Sequence, residues 1–282
     1  LAFHPHLPLS AMQAGADAAA SSTHKMAGSL TQSSMLLIQG PYLDPLAVKS
    51  TLNLTQTTSP SYPLLASLDA ARQRMYFHGE ELLTEAINLA NWARHEINQN
   101  IPGLYVYGND LVGQPGCPDY DPTKLVINVR ALGVSGFEVE KILRQGFHIQ
   151  VELSDLYNVL CVITIGDTKE SVRALVEALR QIATRFQPRD VREEKIVLPP
   201  IPALAYSPRE AFYSETRKMP LEQAAGKIVA EMLMAYPPGI PLIAPGEILT
   251  QEIIDYVQRI KKEDAHIYGT EDPTAEFIQV IR

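Results

Sequence analysis

GADAAASSTHKMAGSLTQSSMLLIQG, residues 15–40, places a run of small residues and a short apolar run on either side of a hydroxyl-rich loop. Gly15 to Ser22 predicts a short buried strand of small side chains, and Ser34 to Gln39 predicts a second, apolar strand. His24 and Lys25 lie between them, among serines and threonines. If the strand before Lys25 is buried, the amine is partly desolvated. Desolvation favours the neutral, nucleophilic form.

A neutral lysine amine can form a Schiff base with an aldehyde. Ser21, Ser22, Thr23 and Ser29 offer hydroxyl donors to a phosphate, and His24 can add a charge-assisted one. The set suits a phosphorylated aldehyde, which means pyridoxal phosphate. A surface loop in which Ser, Thr and Lys simply meet water has the same spacing, and spacing alone favours that plainer case.

The chain has 282 residues, of which 46% are hydrophobic and 20% charged, enough for a large core and two domains. A net charge of −8 disfavours nucleic-acid binding through a general basic surface. Cys117 and Cys161 stand far apart without a CxxC, so a disulfide framework is not expected and a reducing, cytoplasmic setting is the default. No apolar run approaches the ~18 residues of a membrane span. The chain opens LAFHPHLPLS, with Leu1 where an initiator methionine would stand. It reads as mid-domain from the first residue, so a fragment or one piece of a longer polypeptide is expected.

GPYLDP (40–45) predicts a turn and TQTTSPSYP (55–63) a loop. Apolar residues from Leu82 to Ile97 recur at helical spacing and predict a long helix from about Gly79 to Asn98. The Gly- and Pro-rich LVGQPGCPDYDPTK (111–124) suggests a domain boundary, giving domains at 1–113 and 114–282. Beyond it, LVINV (125–129), HIQVEL (148–153) and NVLCVITIG (158–166) predict strands. Ser135 with Glu138 predicts a capped helix, and Asp167 or Thr168 caps another running to about Phe186. Ile196 to Glu215 predicts an extended, proline-punctuated segment. Leu221 to Ala235 predicts a helix stopped at Pro237 and Pro238. IPLIA (240–244) predicts a strand and Thr250 to Asp264 a last helix. The order suggests helices packed over a mainly antiparallel sheet.

FHPHLPLSAMQAGADAAASSTHKMAGSLTQSSML (3–36) resembles the pyridoxal-binding segment of the fold-type-I ornithine/lysine/arginine decarboxylases, which reads roughly F-H-P-x-L-P-x-S-A-x-x-x-G-A-D, then S-x-H-K and L-[ST]-Q-x-S-M. The resemblance continues through TTSPSY, YDPTKL, YNVLCVITIGDT, SPREAFY and YPPGIPLIAPGE. It implies an α/β fold: the C-terminal part of a fold-type-I large domain with the Schiff-base lysine and a long helix, followed by an α+β small domain. It implies that Lys25 carries the cofactor and that Ser22 and His24 hold its phosphate. Ser59 matches a hydroxyl that reaches the phosphate of a neighbouring subunit, which implies a homodimer or larger assembly. Glu247 matches a carboxylate facing the distal cation of a basic substrate, as a guanidinium can be held bidentately. An acid complementing the helix dipole before Thr250 is the alternative for Glu247.

The activity implied is decarboxylation of a basic amino acid in polyamine biosynthesis, with Lys25 and His24 as catalytic residues. Arginine is the first expectation for substrate, then lysine or ornithine. In the family an aspartate in a D-x-A-H segment upstream of F-H-P keeps the cofactor ring protonated. No such segment is in this sequence, so the chain alone is expected not to turn over and to need a missing N-terminal segment or a complementary chain. A different pyridoxal enzyme, such as an aminotransferase, and a non-catalytic fragment or dimerisation module are the competing readings. His4 and His6 could ligate a metal, but no partner cluster is visible and a packing role is expected; no metal is called for.

Overall fold

The computed structural model describes residues 4–189, 198–235, 239–263 and 265–282. In chain order the elements are β1 (Ala18–Ser21), α1 (Thr23–Met26), β2 (Met35–Ile38), α2 (Pro45–Thr55), α3 (Tyr62–Asn100) and β3 (Tyr105–Val106). Then come β4 (Lys124–Asn128), α4 (Gly136–Gly146), β5 (Leu153–Ser154), β6 (Asn158–Val162) and α5 (Lys169–Phe186). The last are α6 (Pro208–Tyr213), β7 (Thr216–Pro220), β8 (Leu233–Ala235), β9 (Ile240–Ile243), α7 (Gln251–Lys262), β10 (Ile267–Tyr268) and β11 (Phe277–Ile281). The sheets run β1-β2, β3-β4-β6-β5, β10-β8-β9 and β11-β7. The chain divides into two compact units that interleave in sequence.

The first unit comprises Leu1–Ile101, Tyr105–Val126 and Cys161–Gln181. Strands β1 and β2 pair antiparallel, from Ala18 opposite Ile38 to Ser21 opposite Met35. The expected strand is there but is not buried: its residues alternate between exposed and half-buried, because β2 is its only sheet partner among the described residues. Helix α2 was not expected. Asp44 caps it by accepting from the Leu46 N–H at 2.9 Å, and Pro45 opens it, where a missing N–H costs nothing. No residue of α2 is buried. Helix α3 has 39 residues and starts well before Gly79. Its buried stripe (Leu83, Ala86, Ile87, Ala90, Ala93, Ile97) sits in the second half, while Tyr62, Leu65, Tyr76 and Phe77 are exposed in the first. The periodic pattern was therefore visible only in the part that meets a core.

Arg94 on α3 ties the following loop down. Its Nε donates to the Tyr107 carbonyl at 2.9 Å, Nη1 to Asn91 at 2.8 Å, and Nη2 to the carbonyls of Pro122 and Lys124 at 2.9 and 3.4 Å. The guanidinium also lies 5.5 Å from the Tyr120 ring centre. Helix α5 starts where Thr168 accepts from the Ser171 N–H, the expected cap.

The second unit comprises Pro102–Leu104, Ile127–Leu160 and Ile182–Arg282. Ser135 caps α4 by accepting from the Glu138 N–H at 3.2 Å, as the sequence implied. A Cβ on Gly136 would lie 2.2 Å from the Asn158 carbonyl oxygen, so only glycine fits there. HIQVEL does not form the expected strand. His148 takes φ 56°, and pairing is confined to Leu153 and Ser154. Ser207 and Glu210 form a complete capping box on α6. Residues 196 and 197 of the predicted extended segment, the stop at Pro237 and Pro238, and the helix end at Asp264 lie outside the described residues.

The predicted helix from Leu221 to Ala235 does not exist. One 3-10 turn, Leu221–Gln223, precedes Gly226 at φ +76°, and strand β8 follows. The backbone there is used in long-range pairs instead. Gly226 and Val229 donate to the carbonyls of Leu249 and Glu247, and Ala230 donates to Gln279. The apolar residues still reach a core, with Val229 and Leu233 packed among Ile243, Leu249, Ile253, Ile254, Val257, Ile278 and Val280. Amphipathic helix α7, capped by Thr250, covers this core with Ile253, Ile254 and Val257. Each such side chain, fully buried, contributes about 1.5–3 kcal/mol. Asp272 organises the approach to β11. Hydrogen bonds from Thr274, then from the Phe277 and Glu276 N–H groups, pull its carboxyl down to about 2.

Candidate active site

Ser22, His24 and Lys25 share one turn between β1 and the loop to β2. Ser22 stands at the helix N-cap, is exposed, and makes no side-chain cap bond. Its carbonyl accepts from the Lys25 N–H at 3.2 Å, which closes the turn. His24 is half-buried and its Nδ1 lies 2.9 Å from the Ser33 carbonyl oxygen. A carbonyl only accepts, so Nδ1 carries the proton and neutral His24 offers a bare lone pair at Nε2. Ser33 is itself fixed: its hydroxyl donates to the Leu30 carbonyl at 2.5 Å and is paired with the Ser29 hydroxyl at 2.6 Å.

Two sequence expectations fail here. Lys25 is exposed, not desolvated, because the small-residue strand before it is open on its faces. Of the four hydroxyls suggested for a phosphate, Thr23 is buried and donates to the Ser21 carbonyl at 3.4 Å. Ser29 is buried and its hydroxyl is hydrogen-bonded to that of Ser33. Ser22 is the exposed hydroxyl of the set.

The turn rests on a support that sequence reasoning missed. Lys124 Nζ lies 3.6 Å from the sulfur of Met26 and 3.0 Å from both the Asp121 carboxylate and Thr123 Oγ1. Burial pushes Asp121 up, but the Thr123 hydroxyl and the Lys124 charge outweigh it and hold its carboxyl below the usual range. Burial lowers the Arg94 guanidinium, partly offset by Tyr120, Asp110 and Asp121. YDPTK stands in the sequence as a motif, yet its spacing gives no sign that Lys124 reaches α1.

Ser59 lies in the loop between α2 and α3 and is exposed, its N–H donating to Thr57 Oγ1 at 3.1 Å. Glu247 belongs to the second unit and is half-buried. It closes the turn Ala244–Glu247: its N–H donates to the Ala244 carbonyl and its Oε2 accepts from the Ala244 N–H at 2.7 Å. The carboxylate is thus aimed by its own turn, not by the first turn of α7. His4 is buried, accepting from the His6 N–H at Nδ1 and donating from Nε2 to Thr84 Oγ1 at 2.9 Å, a packing role. Cys161 is buried, and burial pushes its thiol up to about 12, which disqualifies it as a nucleophile.

Residues 1–171 match the model of the Orn/Lys/Arg decarboxylase major domain, and residues 192–274 match that of its C-terminal domain. The chain belongs to the Orn/Lys/Arg decarboxylase family. Within it, the chain is 49% identical over 282 residues to an arginine decarboxylase of Bacillus subtilis, covering 99% of this chain and 57% of that protein. It is 45% identical to an arginine decarboxylase of Bacillus anthracis, with the same coverage. The chain therefore spans a little over half the length of these curated relatives. The crystal structure of a Francisella novicida lysine decarboxylase superposes with a TM-score of 0.73 at 24% identity, over 93% of this chain and 48% of the other. That likeness establishes the fold: an α/β chain of the kind the sequence implied for this family.

Proposed function

We propose that this Orn/Lys/Arg decarboxylase chain is part of a pyridoxal-phosphate-dependent enzyme that converts arginine to agmatine and carbon dioxide, a step toward polyamines. Its strongest support is the 49% identity, over 99% of this chain, to a relative named arginine decarboxylase. The turn fits a phosphorylated aldehyde in its donor set: an uncommitted exposed hydroxyl, an imidazole with one nitrogen already fixed, and an accessible amine within four residues. Pyridoxal phosphate, when bound, supplies a ring that takes up the electron pair left by departing carbon dioxide.

Lys25 would hold that group covalently through its amine. Ser22 Oγ and His24 Nε2 would hold the phosphate, with His24 needing a second proton to donate while Nδ1 stays on Ser33. Ser59 is proposed to reach the phosphate site of a partner subunit in a homodimer. Glu247 is proposed to bind the distal guanidinium. Its Ala244 contact uses one of roughly four acceptor positions on a carboxylate, leaving room for a bidentate partner. Turnover is assigned to the whole enzyme, in which Lys25 is shielded, rather than to this chain alone. A cytoplasmic site of action is proposed from the cysteine usage.

The test is a substrate comparison with the full-length enzyme, following agmatine, cadaverine and putrescine together with carbon dioxide. The expected result is the highest kcat/KM for arginine. Equal or faster turnover of lysine or ornithine would overturn the substrate assignment.

A further inference from the structure

Glu247 has a close neighbour that the family resemblance does not assign. Leu204 and Glu247 form an isolated antiparallel bridge. Its two flanking hydrogen bonds are Ala205 N–H to the Gly246 carbonyl at 2.9 Å and Ile248 N–H to the Ala203 carbonyl at 2.9 Å. Bonds placed outside the pair in this way mark the narrow, non-hydrogen-bonded kind of pairing. There the two side chains leave the same face with Cβ atoms about 4.5–5.5 Å apart. The bridge is held tightly. Tyr206 N–H also donates to the Gly246 carbonyl, at 3.0 Å. Gly246 has φ +93°, and a Cβ on it would lie 2.1 Å from the Tyr206 carbonyl oxygen.

The other side of residues 246–249 is tied by Gly246 N–H to Val229, Val229 N–H to Glu247 and Leu249 N–H to Lys227. Glu247 is therefore fixed by backbone on both sides, and Leu204 on the side that faces it. Leu204 is nonetheless 62% exposed, a large apolar side chain left in water beside a half-buried carboxylate. The structure records no ion pair to that carboxylate among the described residues.

An apolar wall next to a preoriented, cation-free carboxylate matches one ligand shape. That shape is a flexible methylene chain ending in a cation. We propose that Leu204 is a specificity-determining residue that packs against the aliphatic stem of the substrate while Glu247 takes its terminal charge. The inference rests on the Glu247 assignment above. Leu204 supplies transfer of methylenes out of water, and Glu247 supplies charge. The two contributions are separable, because one scales with chain length and the other does not.

The experiment measures binding of methyl-, ethyl-, propyl- and butylguanidine to the full-length holoenzyme by calorimetry. It compares wild type, Leu204→Ala, Leu204→Asn and Glu247→Gln. In wild type each added methylene is expected to tighten binding about fourfold, the factor for one buried CH2. Leu204→Ala and the near-isosteric Leu204→Asn should both flatten that increment to less than about twofold while methylguanidine, which has no chain to pack, binds as before. Glu247→Gln should weaken all four guanidines by a similar factor and keep the increment. Since the Leu204 side chain is mostly in solvent, both variants are expected to fold, checked by circular dichroism. An unchanged increment in both Leu204 variants, with guanidine binding still lost in Glu247→Gln, overturns the role of Leu204 alone. Unchanged binding in Glu247→Gln overturns the Glu247 assignment and this inference with it.

Discussion

His24 gives a prediction with a defined sign. Its Nδ1–H is committed to the Ser33 carbonyl at 2.9 Å, and Ser33 is held in turn by Leu30 and Ser29. The ring cannot offer that proton to a phosphate without losing the Ser33 contact. It can donate only from Nε2, and only as the imidazolium. A hydrogen bond to a charged partner contributes about 1.5–3 kcal/mol, or about 10- to 150-fold in affinity. Loss of that donor should therefore weaken phosphate binding by about the same factor.

The assay is fluorescence titration of the full-length apoenzyme with 4′-deoxypyridoxine 5′-phosphate, which lacks the aldehyde and so removes Lys25 chemistry from the measurement. The comparison is the same titration of His24→Gln, whose side chain is neutral. The variant should bind the ligand about 10-fold or more weakly than wild type. Equal affinity would show that His24 makes no charge-assisted contact with the phosphate.

Arg94→Met leaves the carbonyls of Tyr107, Pro122 and Lys124 without their donor. It should cost about 3 kcal/mol, seen as a lower thermal midpoint, and an unchanged midpoint would remove Arg94 as the loop's anchor. Gly246→Ala forces a Cβ to 2.1 Å from the Tyr206 carbonyl oxygen at φ +93°. The expected cost is at least about 2 kcal/mol in chemical denaturation, and a variant as stable as wild type contradicts the tight turn. For Ser59, co-expressing full-length Lys25→Ala with Ser59→Asp should restore about a quarter of wild-type activity by random pairing, since one site of each mixed dimer is intact. No restoration would place Ser59 in its own subunit's site.

Elements that stand on local chemistry were legible in the sequence. The Ser135, Thr168 and Thr250 caps set the starts of α4, α5 and α7, and the apolar runs marked β4, β6 and β9. Elements decided by distant partners were not. Val229 and Leu233 have helical spacing, but Leu249, Glu247 and Gln279 claim the backbone around them. Helix α2 buries no side chain in this chain, so it leaves no simple apolar stripe to read. At the site, the grouping of Ser22, His24 and Lys25 on one turn followed from adjacency. The solvent exposure of Lys25 did not, because composition suggested a buried strand, whereas β1, paired among the described residues with β2, is exposed on one face and half-buried on the other.

Borohydride reduction of the full-length enzyme with pyridoxal phosphate, followed by peptide mass spectrometry, asks directly which amine the cofactor uses. The expected spectrum has the added pyridoxyl mass on the peptide containing Lys25 and none in the Lys25→Ala enzyme. Labelling of Lys124 or another lysine instead, with Lys25 unmodified, would contradict the assignment of the turn as the cofactor site.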